Sequence, residues 1–207
     1  MSAFLGPIHY WLYNKILVGE NMQKDILSFA ENKGINTASL TIRVYEKYGK
    51  PDFSYLEDVI DEGNIHGWLQ ERINSLEYRL ASIVTELLNK GEIKINELES
   101  IFRENGRKIY ETSENKVDTA SELFKVIFDN LVEGMPCDRV NDVEKDSDDE
   151  VIWLTTTCVH KKFWDDINGD VNNYYRLKDA WIEGFVNASK GNFIYERKEN
   201  KSYIKKA

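Results

Sequence analysis

Three histidines and two cysteines are the side chains of this chain best suited to metal or acid–base chemistry, and their placement is uneven. His9 and His66 sit at matching places in two similar stretches, while Cys137, Cys158 and His160 follow one another late in the chain. Imidazole and thiolate together select zinc or iron, and histidine is the commonest metal ligand near neutral pH. Each early histidine has a glutamate 11 residues on, His9 with Glu20 and His66 with Glu77. Eleven helical steps of 100° come within about 20° of full turns, so each pair shares a helix face about 16 Å apart along the axis. Two such helices packed antiparallel would bring His9 to Glu77 and His66 to Glu20. That pairing orients an imidazole toward a metal or haem, or satisfies two buried polar groups.

Cys137 follows a Gly134-Met135-Pro136 turn, and Cys158-Val159-His160 sits where a strand gives way to a helix. That setting suits soft metal ligands, or a Cys158 nucleophile with His160 as its base; the bland alternative is a small apolar residue and an incidental thiol. The widest grouping is one metal site of His9, His66, Cys137, Cys158 and His160, with zinc, iron or haem as the cofactor. Trp11, Trp68 and Trp164 would flank a planar ligand there, although aromatics at helical spacing also build plain core.

The elements that position these residues come from an internal repeat. Residues 6–34 align without a gap on residues 63–91, an offset of 57, and share Gly6/Gly63, Ile8/Ile65, His9/His66, Trp11/Trp68 and Leu12/Leu69 at their starts. Apolar residues recur at three- and four-residue spacing in both copies, predicting two long helices, each stopped by Lys-Gly. A shorter helix follows each, over roughly 37–48 and 96–105, with Gly49 and Gly106 as stops, and another spans roughly 117–133. Beyond Gly134 the pattern changes to strands over 139–144 and 151–157, a helix from Asp170 to Gly191, and a closing hairpin over 192–197 and 202–205. The expected fold is mainly α (α+β). Duplicated helical hairpins, 6–50 and 63–107, form a bundle with one more helix over 1–134, and a small α+β portion with two β-hairpins fills 135–207. Helices joined by short loops are expected to pack antiparallel.

Composition narrows the classes. A net charge of −9 argues against a nucleic-acid partner held by phosphate neutralisation. No apolar run is long enough for a membrane span, and MSAFLGPIHYW lacks the basic start of a secretory leader. Two cysteines are too few for a disulfide scaffold, so a cytoplasmic protein with reduced thiols is expected. Phosphate-cradling glycine loops, a nucleophile elbow and the His-Glu-x-x-His pattern are all missing.

The order strand, strand ending at Cys158, helix ending in Trp181-Ile182-Glu183-Gly184-Phe185, and closing hairpin FIYERKENKSYI resembles the C-terminal half of 4-vinyl-reductase-type small-molecule-binding domains. The resemblance covers about residues 138–207 and implies a ligand-binding or sensory module, with the helical repeat as a lid or homodimer contact. That family often carries further cysteines in the closing hairpin; this chain has none there, so only Cys158 corresponds. The leading expectation is therefore a metal- or cofactor-binding protein with a small-molecule ligand, sensory or redox in role, its His/Cys site at the junction of the two portions. Two alternatives are a cysteine- or metal-dependent enzyme and a cofactor-free protein-interaction module.

Overall fold

The computed structural model describes residues 5–113 and 117–207; the first four residues of the MSAFLGPIHYW stretch read above lie outside them. Among the described residues there are eight helices and one four-stranded sheet, so the chain is mainly α with an α+β portion. The order is α1 (Pro7–Asn32), α2 (Ala38–Tyr48), α3 (Leu56–Val59), α4 (Ile65–Asn89), α5 (Ile95–Thr112), α6 (Ala120–Asn130), β1 (Asn141–Asp146), β2 (Glu150–Thr155), α7 (Lys161–Asp165), α8 (Val171–Ala188), β3 (Phe193–Lys198) and β4 (Lys201–Lys206). None of these helices is long and apolar enough to cross a membrane.

The contacts divide the chain into two compact units. Unit 1 holds residues 1–93, 130–135 and 160–170; unit 2 holds 94–129, 136–159 and 171–207. This grouping differs from a division at residue 134, because partners distant in sequence decide it. In unit 1, α1 begins at Gly6 with Pro7 in its first turn, where the missing N–H costs nothing. Asn64 caps α4 by accepting the Gly67 N–H at 3.2 Å. The apolar stripes read from the sequence meet: Leu12, Tyr13 and Ile16 of α1 pack with Leu69, Ile73 and Leu76 of α4, joined by Leu56 and Val132. Each such side chain taken from water stabilises the fold by about 1.5–3 kcal/mol.

The two long helices run in the same direction, not antiparallel: contacts rise together along both, from His9 with His66, through Tyr13 with Trp68, to Gln23 with the Leu76 carbonyl. The expectation of antiparallel neighbours holds for short connections. Here residues 33–64 intervene, and α2 and α3 within them return the chain to its starting end. α2 then packs on α4, with Tyr48 stacked on Tyr78 at 4.9 Å and Phe163 of α7 meeting Tyr78 edge-on at 4.8 Å.

Unit 2 pairs α5 with α8 beside the antiparallel sheet of order β1-β2-β4-β3. Alternation along the strands sends Val151, Trp153, Phe193, Tyr195 and Ile204 inward. Trp153 meets Phe124 of α6 at 5.0 Å, and Asp179 of α8 accepts bonds from the Tyr195 hydroxyl and the Arg197 guanidinium of β3. α5 does not end at Gly106 as its sequence suggests but continues to Thr112. A Cβ at Gly106 would collide with the Trp181 carbonyl oxygen, so this glycine serves a close helix crossing rather than a stop. Since α2 packs in unit 1 and α5 in unit 2, the sequence repeat does not appear as two equivalent hairpins.

Candidate functional site

At the starts of α1 and α4 the two repeated histidines face each other, Nε2 to Nε2, at 3.3 Å, with ring centroids 5.4 Å apart and planes inclined by 50°. His9 is buried and His66 exposed, so the pair has a dry side and a wet one. The Gly6 N–H donates to His9 Nδ1 at 2.9 Å. This bond assigns the protons. A neutral His9 whose Nδ1 accepts carries its hydrogen on Nε2, and that N–H donates to His66 Nε2; the remaining His66 hydrogen is then on Nδ1.

Two of the aromatic residues singled out in the sequence lie close by in unit 1. Trp11 has the Lys15 ammonium 3.9 Å above its ring, and Trp68 packs on Tyr13 at 5.9 Å with the Arg72 guanidinium 5.4 Å from its ring. Both tryptophans are partly buried against the core of unit 1. Trp164 is fully buried.

The expected histidine–glutamate pairs are replaced by others. Glu77, buried, bonds to Nδ1 of the equally buried His160 at 3.0 Å, across 83 residues of chain. Glu20 bonds to the buried Arg79 guanidinium, which also donates to Ser75 Oγ at 2.7 Å, to the Gly49 carbonyl at 2.9 Å and to Gln23 Oε1 at 3.3 Å. Burial pushes the Glu20 carboxyl above its ordinary value, and Arg79 offsets only part of that rise. The antiparallel arrangement behind the expected pairs does not occur, which is why each glutamate finds a different partner. No sequence signal marked Arg79 or Gln23; only their spacing on the buried stripe of each helix could have placed them inside.

Cys137, in the short turn Pro136–Asp138, and Cys158, just past β2, are exposed and form no disulfide. Both belong to unit 2, whereas His9, His66 and His160 belong to unit 1. Among the described residues no three His, Cys, Asp or Glu side chains gather closely enough to hold a metal. What the fold does bring together is His9 with His66. Compared with protein-family profiles, curated proteins and solved structures, the chain matches none.

Proposed function

We propose that the protein binds a divalent transition-metal ion between His9 and His66, with its open coordination positions left for water or a small-molecule ligand. One observation carries this reading: two Nε2 atoms on separate helices converge to 3.3 Å. Zinc–imidazole bonds of about 2.0–2.1 Å meeting at a tetrahedral angle place the two nitrogens about 3.3–3.4 Å apart. Two axial imidazoles on a haem iron stand about 4 Å apart with the macrocycle between them, so the spacing supports a bare ion over haem. The ion takes the place of the shared hydrogen. His9 then carries its proton on Nδ1, the Gly6 N–H turns to water, and no proton leaves the pair. Losing that cap costs about 1 kcal/mol. The exposed edge of His66 gives the ion a way in, and the buried His9 holds it against one wall.

Titration of the metal-stripped protein with Co²⁺, followed in the visible spectrum, and with Zn²⁺ by calorimetry, tests the proposal. About one equivalent should bind with micromolar affinity, and His9→Ala or His66→Ala should weaken it at least tenfold. Binding equal in wild type and both variants sinks the metal reading. It leaves a second one favoured by the Gly6–His9 bond, in which the histidine pair ties the starts of α1 and α4 together and contributes about 1 kcal/mol.

A further inference from the structure

We infer that unit 1 carries a second binding site, a cleft between α2, the C-terminal half of α4 and the segment after α7, which accepts a small organic anion bearing a phosphate or carboxylate. The cleft holds about 620 Å³, within the roughly 300–1,000 Å³ typical of small-molecule sites. Its charge is the reverse of the chain's. Arg43, Lys47 and Lys90 line it against Glu86, while Asp166 is neutralised by Lys162 of α7. Glu86 is shared, bonding Arg43 at 2.5 Å and Lys90 at 3.0 Å, and Arg43 foremost holds its carboxyl below the ordinary value. Lys47 rests on the ring and hydroxyl of its neighbour Tyr48 and meets no carboxylate among the described residues. Three cations against two acids, both acids already paired, leave the lining positive on a molecule of net charge −9, a local anion-attracting wall.

The neutral groups of the cleft point the same way. Ser82, Thr85, Asn89 and Asn168 all line it, and none makes a side-chain hydrogen bond to another described residue. Thr85 Oγ1 is shielded from solvent yet unbonded, and a buried hydroxyl without a partner is costly. Gly169 matters here: a Cβ at that position would press on Thr85 Oγ1 and Ile167, both of which line the cleft. Tyr48 also lines the cleft, its ring stacked on Tyr78 at 4.9 Å. Cations to hold an anionic group, plus uncommitted amides and hydroxyls to orient the rest, are what a polar small molecule requires.

The test is a titration of ¹⁵N-labelled full-length protein with inorganic phosphate, and separately with citrate, at constant ionic strength set by chloride. Saturable shifts of the Lys47, Ser82, Thr85, Asn89 and Asn168 amides are expected from at least one probe, and which probe acts tells phosphate from carboxylate recognition. Lys47→Glu should weaken binding at least tenfold while keeping a dispersed, folded spectrum. Lys24→Glu, an exposed lysine of α1 that does not line the cleft, should leave it unchanged. No saturable shift from either probe, or an equal loss in the Lys24→Glu control, overturns the proposal. Because the histidine pair takes no part in this site, the outcome is independent of the metal titration.

Discussion

Each unit is built on a pair of helices running in the same direction, but the two pairs are held apart by different things. In unit 1, α1 and α4 are spaced by side chains. Leu76 packs against Gly19, and the gap further along is filled by the buried Glu20, Gln23, Ser75 and Arg79. In unit 2, α5 and α8 touch backbone to backbone: Gly106 lies on the Trp181 carbonyl and Gly184 on the Arg103 carbonyl. Trp181 Nε1–H donates to Asn105 Oδ1 at 2.9 Å between them, and their ion pairs, Arg103 with Glu183 at 2.8 Å and Arg176 with Glu99 at 2.7 Å, lie toward solvent, where such pairs contribute little. The wider spacing leaves room for polar chemistry between helices, and the histidine pair stands in that wider gap. The close crossing leaves little. The proposed metal site falls between the more widely spaced pair, in unit 1.

The comparison can be broken most sharply at Arg79. Arg79→Met removes the cation bonded to Glu20 from a buried network and leaves that carboxyl without its ion-pair partner, so a loss of about 4 kcal/mol is expected in denaturant unfolding. A Glu20→Leu change added to it should recover part of that loss; equal damage from the double variant would mean the network is not the spacer. Next comes Gly184→Ala, whose methyl must push α5 off α8. It should cost about 3 kcal/mol, or a fall of about 6–12 °C in Tm. The matching Gly19→Ala sets a Cβ 2.8 Å from the end of the Leu76 side chain rather than from backbone, and the helix propensity gained by alanine offsets much of the strain, leaving a change within about 1 kcal/mol. Equal losses at Gly19 and Gly184 would erase the distinction between the two pairs.

The smallest effect is in pH. Because burial holds the Glu20 carboxyl above its ordinary value of 4.5, the folded chain keeps a proton that the unfolded chain has released over that interval. Stability should therefore fall as pH rises from the ordinary glutamate value to the raised one, and level off above it. Glu20→Gln should flatten this part of the stability–pH curve; an unchanged slope would assign it to another group.

Much of the fold was legible in the residues themselves. The apolar stripes of α1 and α4, the Lys-Gly stops and the two hairpins near 141–155 and 193–206 all lie where local periodicity and turn residues place them. Gly49 and Gly106 look alike in sequence, each closing a shorter helix of the repeat. One is a true stop at φ +87°, the other the floor of a helix crossing. Only the presence of α8 separates them. The candidate site was half legible: His9 and His66 stood out as a repeated pair, but their partners did not.

The sequence by itself determined which segments become helices and strands and which face of each is buried, because those depend on residues three, four or two apart. The tertiary structure alone decided the direction of α4 relative to α1. That choice set His9 against His66, gave Glu20 to Arg79 and gave Glu77 to His160. Contacts across 57, 59 and 83 residues depend on the path of the chain between them, and short-range spacing carries no record of that path.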